Sequence, residues 1–505
     1  MGRITVALIV TSWVIPISIL VNHIVPEPYM DEIFHIPQAQ QYCIGNFKSW
    51  DPMITTPPGL YFISLAYISS LFPGIKLIQQ ISNFIDLCSI PVLRSTNGLL
   101  AVICSILVHD IIKSLKPSID DKKATFYAVI VALYPLHWFF TFLYYTDVAS
   151  VTVVLAMYLM CLKKKYMCSA LFGGVSVVIR QTNIIWMLFV ACTGILNIIQ
   201  HKKEIHEKEY LSSDPKNDHF ASSSSVDNIS SNLKRRRSGN AVDHGKKSLP
   251  SLPHQSTGLF SEIWSILLAA WHIKWELLVS FSPFFALLLA FAAFVVWNGS
   301  IVLGAKEAHT VSPHFAQLLY YGLVSACFMA PVHFTPSQTA TLTKSLWKNR
   351  PFSFLICFLA AIICFLSVHY FSIAHPYLLA DNRHYPFYLW RKIINSHWST
   401  RYLLIPLYVY SWTSIFNILA KVEKKVWILV YFLASATCLI PTPLIEFRYY
   451  TIPFFFLVLH CHITNDLVWL FLGFLYISIN IFTIIMFLFR PFYWDHEIGV
   501  QRFIW

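Results

Sequence analysis

Apolar runs long enough, or nearly long enough, to cross a bilayer recur fourteen times along this chain. They lie at roughly 4–24, 58–73, 95–115, 124–143, 145–162, 166–180, 184–199, 277–297, 314–335, 353–375, 402–420, 426–441, 448–464 and 467–490, with a weaker candidate at 75–93. No other feature constrains the fold as much. Hydrocarbon offers no partner to a free backbone N–H or C=O, so such segments are helices. The expectation is an all-α polytopic membrane protein with about 12–15 transmembrane helices. Charged residues make up only 12% of the 505 residues and apolar residues 56%, against roughly 25% charged in a soluble chain. Soluble-enzyme and nucleic-acid-binding readings are set aside on that ground. The first run, Ile4 to about Val21, is followed by no small-residue cleavage site and is expected to stay as an anchor.

One segment interrupts the pattern. Residues 201–260 are polar and basic, with the run Lys234-Arg235-Arg236-Arg237, and are expected to form a disordered cytoplasmic loop. It separates an N-terminal transmembrane module, 1–200, from a C-terminal one, 261–505. The remaining basic clusters, Lys163 to Lys165, Lys202-Lys203, Lys344 to Arg350 and Lys421 to Lys425, fall on the same face by alternation. The opposite face receives 25–57, 298–313 and 376–401. Alternation reaches the N-terminus only if 58–94 crosses twice or folds back without crossing, and the sequence leaves both open.

The polar residues of interest gather on that second face. The first loop reads "YMDEIFHIPQAQQYC", with Asp31 and Glu32 adjacent and His35 and Gln38 close by. Pro37 suits the first position of a short helix, 37–43. A carboxylate here can take a proton from a hydroxyl; the competing reading is a solvated, helix-capping acid. "HPYLLADNRHYPFYLWRK" clusters Arg383, His384, Arg391 and Lys392 against the positive-inside bias. A guanidinium fork beside an imidazole suits phosphate; interfacial anchoring is the bland alternative. Arg180 and Arg448 lie at helix ends and can pair with Asp147 or Glu446, or hold a ligand phosphate. The eleven cysteines show no metal or disulfide spacing and read as small buried hydrophobes. No metal and no cofactor is expected.

The stretches "MDEIFHIPQAQQYC", "WDPMITTPPGLY", "FLYYTD", "RQTNIIW", "HPYLLADNRHYPFY", "EFRYY" and "FIW" together resemble one family. It is the endoplasmic-reticulum dolichyl-phosphate-glucose-dependent α-1,2-glucosyltransferase family, which adds the terminal glucose to the lipid-linked N-glycan precursor. The resemblance fails over about 201–260, and it departs at Ala305, where the family pattern has an acid. It implies a GT-C type fold in the endoplasmic-reticulum membrane with a lumenal active site. It implies dolichyl phosphate glucose as donor and the diglucosylated Man9GlcNAc2-diphosphodolichol as acceptor, joined with inversion. On that reading Asp31 is the base and Glu32 orients the acceptor. Arg383 and His384 hold the donor phosphate, seconded by Arg448 and Arg180, while His35 and Gln38 line the acceptor side. The residues alone leave open an α-1,3-glucosyl or mannosyl transferase, or a transporter.

Overall fold

The computed structural model of the chain describes residues 1–79, 84–212, 258–307, 310–348, 350–495 and 497–505. The protein is a multi-pass, all-α membrane protein whose described strands are the two of a short hairpin. Seven helices among the described residues are long and apolar enough to cross a membrane: Gly2–Ile24, Ile90–Leu115, Asn183–Ile205, Lys274–Asn298, Arg350–Tyr370, Thr400–Leu419 and Asp466–Phe489. Shorter apolar helices fill the bundle between them.

Met1–Leu196 and Ile273–Trp505 form one compact unit, so the two expected modules share a core. A second unit covers Asn197–His272. Most of the expected disordered loop, 213–257, lies outside the described residues. Its described flanks are helical: Asn183–Ser212 runs past residue 201, and another helix covers Leu259–His272.

The N-terminal elements are α1 (Gly2–Ile24), α2 (Glu32–Cys43), α3 (Gly59–Gln79), α4 (Ile90–Leu115), α5 (Asp121–Ala132), α6 (Pro135–Phe140), α7 (Thr146–Leu162), α8 (Tyr166–Ile179) and α9 (Asn183–Ser212). Ser89 precedes α4, and Pro91 sits in its first turn, where a missing N–H costs nothing. Gly98 of α4 faces Val14 of α1, a small residue allowing the close helix approach that lipid-embedded packing depends on. The expected span 124–143 is broken into α5 and α6 because Pro135 starts a new helix after Tyr134. The run 448–464 shortens to the helix Thr451–His460, buried on every side. Ten residues rise only about 15 Å, half a bilayer core.

Along α3, Tyr61 meets His35, Ser64 meets Tyr144, Tyr67 meets Ser95 and Phe72 meets Phe84. These partners belong to the Asp31 side of the bundle. These contacts pack α3 against the first loop, the 143–147 loop and the start of α4. A Cys43–Cys88 disulfide, Cα–Cα 6.6 Å, ties α2 to the segment just before α4. This corrects the expectation that the cysteines carry no disulfide; their separation of 45 residues concealed the pairing.

Two further contacts frame the site. Leu303 N–H donates to Thr55 O (3.1 Å) and Ala305 N–H to Pro52 O (2.9 Å), so the loop after Lys274–Asn298 docks along the 52–55 segment. Gly304 makes this possible, because a Cβ there would stand 2.2 Å from Pro52 O. Ala305 thus serves the docking through its backbone, at a positive φ of 44°. At the other end, strands β1 (Phe492–Trp494) and β2 (Glu497–Gln501) pair antiparallel. The chain then joins 383–385 through Ile504 N–H to Arg383 O (2.9 Å) and Tyr385 N–H to Ile504 O (3.1 Å).

Candidate active site

The site is built from the first turns of α4 outward. Arg94 is buried (2% exposed) and its guanidinium is the hub of the first loop. It donates to both oxygens of Glu32 (2.9 and 2.6 Å), to Val25 O (2.7 Å), to Glu27 O (3.0 Å) and to Asn22 Oδ1 (3.1 Å). Glu32, fully buried, also accepts from Tyr29 N–H (3.1 Å) and Tyr144 N–H (2.6 Å). One helical turn on, Asn97 Nδ2 donates to Leu143 O (2.6 Å) and Tyr145 O (2.8 Å). A single face of α4 thereby holds both the Asp31 loop and the 143–147 loop.

This arrangement revises two expectations. Helix α2 begins at Glu32, not Pro37, because Glu32 is already pinned; Pro37 lies inside the helix. Glu32 does not face the cavity described below. Its charge is consumed by Arg94, and it fixes the backbone that carries Asp31, just after Met30 in a left-handed turn (φ 57°).

Asp31 does face the cavity, with 38% of its side chain exposed. Its N–H donates to Tyr145 Oη (3.2 Å), and its Oδ2 accepts from Arg448 Nη1 (2.6 Å). Arg448 Nε pairs with Glu446, and the guanidinium lies 5.6 Å from the Tyr145 ring. Burial alone would raise the Asp31 carboxyl, but the Arg448 guanidinium outweighs it and holds the group below the usual carboxylate range. The same balance of burial against Arg448 lowers Glu446. One turn along α2, His35 shares a 2.6 Å hydrogen bond with Tyr61 Oη. Burial pushes the His35 imidazole down, only partly offset by Asp31.

A cavity of about 310 Å³ joins these groups; its lining includes Asp31, His35, Thr55, Thr56, Tyr145, Arg180, Gln181, Trp186, Tyr377, Glu446, Arg448 and Tyr449. Arg180 pairs with Asp147 (2.7 Å), as the sequence allowed, and its guanidinium lies 5.7 Å from the Tyr449 ring. Among the described residues, Arg180 spends one donor on Asp147, leaving others for an anion. A larger open groove along Phe334, Thr339, Leu407 and Tyr410 carries one charged side chain, Lys344, and no carboxylate, so it does not suit proton-transfer chemistry.

Three expected site residues are placed elsewhere. Gln38 braces the loop beneath, donating to Ser49 O (2.7 Å) and accepting from Asp51 N–H (2.9 Å). Arg383 is bound by Asp381 through Nε and Nη2 (2.9 and 2.8 Å), by Gln501 through Nη1 (2.8 Å), and lies over Trp494. It fastens the 376–385 loop to the tail and does not line the cavity. His384 holds Trp505 O (3.2 Å) and also lies outside the lining. Sequence reasoning missed Arg94. Its signal was an arginine at the mouth of an apolar span, a costly position that calls for a buried partner.

Alternation along 444–448 separates polar from apolar. Leu444, Glu446 and Arg448 line the cavity, whereas Ile445 and Phe447 line an apolar groove of about 470 Å³ with Leu323, Phe328, Trp390, Tyr408 and Trp505. Glu446 is extended (φ −129°, ψ 125°), so neighbouring side chains point to opposite sides.

The fold and the site define a class: a multi-pass membrane protein in which carboxylates and arginines converge on a cavity at one face of the bundle, beside an apolar groove. Comparison with known proteins makes this particular. Residues 25–459 match the model of the DIE2/ALG10 family, and the chain belongs to that family. It is 55% identical to the Arabidopsis thaliana Dol-P-Glc:Glc(2)Man(9)GlcNAc(2)-PP-Dol alpha-1,2-glucosyltransferase over 100% of both chains. It is 33% identical to a Homo sapiens protein of the same name over 95% of this chain and 93% of that one, and 29% identical to a Drosophila melanogaster one over 94% and 93%. No solved structure matches the chain.

Proposed function

We propose that this chain transfers glucose from dolichyl phosphate glucose to the diglucosylated Man9GlcNAc2 diphosphodolichol acceptor. The product is the terminal α-1,2 linkage, made at the lumenal face of the endoplasmic-reticulum membrane within a GT-C type fold. The observation that carries the site assignment is the Asp31 carboxylate, exposed to the cavity, ionised, and held on one oxygen only by Arg448.

Inversion in one step needs a base on the acceptor hydroxyl and stabilisation of the departing phosphate on the far side of the sugar carbon. Asp31 takes the proton. A carboxylate held ionised by an arginine is a weak base, and a weak base suffices when the hydroxyl acidifies as its oxygen bonds to an oxocarbenium-like carbon. Arg448 holds the base in place, and Arg180, which lines the same cavity, has remaining donors to stabilise charge growing on the leaving phosphate. The groove beside Phe447 and Trp505 gives a polyprenyl chain an apolar course next to the charged site. The Cys43–Cys88 disulfide on the Asp31 side supports an oxidising compartment there.

Microsomes lacking this chain are expected to accumulate lipid-linked oligosaccharide one hexose short. Restoring Asp31→Asn should leave transfer at least about 10²-fold below wild type, with unchanged protein abundance. Normal transfer by Asp31→Asn would remove the base assignment. Accumulation of a species lacking a mannose or two glucoses would point to a different transferase.

A further inference from the structure

Between α8 and α9, Gln181 is 4% exposed and lines the cavity. Its Nε2 donates to Thr55 O (2.9 Å), which orients the amide and leaves Oε1 without a partner among the described residues. The next residue along the opposing loop, Thr56, also lines the cavity, and its Oγ1 is buried and unpartnered as well. The two loops are brought together by a close backbone approach. Gly59 at the start of α3 packs on Val178 at the end of α8, where a Cβ would stand 2.6 Å from Val178 O. Burying two polar atoms unpaired is costly, and native structures keep few such groups without reason.

We infer that Gln181 Oε1 and Thr56 Oγ1 form a subsite for one hydroxyl of a pyranose ring. A sugar hydroxyl is both donor and acceptor. It donates to the amide oxygen, which can only accept, and receives from the threonine hydroxyl, which can donate. The subsite serves specificity: a buried site built to bond a hydroxyl rejects a ring lacking it or presenting it at the wrong angle. Both the donor glucosyl ring and the terminal glucose of the acceptor carry this chemistry. The assignment rests on the glucosyl-transfer reading above.

The test uses the full chain in lipid nanodiscs. Wild type, Thr56→Val, Thr56→Ser and Gln181→Met are assayed with dolichyl phosphate glucose, with its 2-, 3-, 4- and 6-deoxyglucosyl analogues, and with acceptors lacking single non-reacting hydroxyls on the terminal glucose. Thr56→Val removes the hydroxyl at constant shape and is expected to lower kcat/KM roughly 10-fold, the equivalent of one hydrogen bond. Thr56→Ser restores it. One deoxy analogue is expected to cost wild type more than it costs either Thr56→Val or Gln181→Met, each of which keeps only one of the two bonds to that hydroxyl; a donor analogue assigns the donor ring and an acceptor analogue the acceptor ring. Full activity of Thr56→Val, or losses that multiply equally with every analogue, would overturn the subsite while leaving the transferase reading intact. No transfer by wild type from dolichyl phosphate glucose would overturn both.

Discussion

The buried Arg94–Glu32 pair offers the sharpest test of how the site is held. Arg94→Met keeps most of the stem volume and deletes the guanidinium. Glu32 would then be left at 0% exposure with only the N–H groups of Tyr29 and Tyr144, and the carbonyls of Val25 and Glu27 would lose their donor. Removing one partner of a buried pair costs about 3–5 kcal/mol, most of it from the charge left behind. Glu32→Gln leaves Arg94 with its three remaining acceptors but takes away the opposite charge, so it too destabilises. Because each change destroys the same interaction, the double variant Arg94→Met/Glu32→Gln should fall short of the summed deficits by about 2 kcal/mol or more. Asp31 directly precedes Glu32, so a shift on the order of 1 Å in that backbone should lower transfer about 10²-fold in all three variants. Thermal unfolding of the detergent-solubilised chain measures the first quantity and glucosyl transfer the second. A structural role alone would lower stability without that loss in the surviving folded fraction. Wild-type stability of Arg94→Met, or deficits that simply add, would refute the claim that one ion pair organises the loop.

Other consequences follow from the same geometry. Asp31 and Glu446 are lowered carboxyls, so the stability they contribute is present above their ordinary values of 3.8 and 4.5 and is lost as pH falls through the lower folded values. His35 is lowered from 6.5, so the unfolded chain takes up its proton first; stability should be level above pH 6.5 and decline below it, and His35→Asn should remove that first decline in a pH series of melting curves. Reducing Cys43–Cys88 opens a constraint between residues 45 apart, and Cys43→Ser should lose about 4 kcal/mol by the chain-entropy estimate, read as a melting shift that added reductant reproduces in wild type only. Gly304→Ala drives a Cβ to 2.2 Å from Pro52 O and should cost about 1–3 kcal/mol with a parallel loss of transfer, whereas the same change at Gly299, which has nothing within 4 Å but a φ of 69°, should strain only its own turn.

The helical membrane architecture was legible because lipid allows apolar segments few alternatives. Breaks at Pro135 and before Thr451 were less so, since an apolar run looks the same whether it faces lipid or protein. At the site, Asp31 stood out by its place on the first loop, and the pairing of Arg180 with Asp147 and of Arg448 with Glu446 was among the options read from helix ends. Arg383 misled because sequence gives the sign of a charge but not its creditor: Asp381, two residues away, had already claimed it. Gln38 misled in the same way, its amide spent on Ser49 and Asp51.

These misassignments share a physical cause. Between lipid-facing helices there is little hydrophobic drive to order a loop, so loops at the bundle end are held by polar bonds to helix ends and to one another. Arg94 and Asn97 hold two of them from α4; Tyr29 Oη donates to Arg502 O (2.6 Å) and accepts from Arg502 N–H (2.7 Å), tying the first loop to the tail; Arg383 ties the tail to the 376–385 loop. Such anchors need the same residue types as a phosphate- and sugar-binding site and occur in the same loops. Composition therefore cannot separate them. What does is whether a group's bonding capacity is exhausted: Glu32, Gln38 and Arg383 have theirs committed within the fold, whereas Asp31, Arg180 and Gln181 line the cavity with capacity to spare.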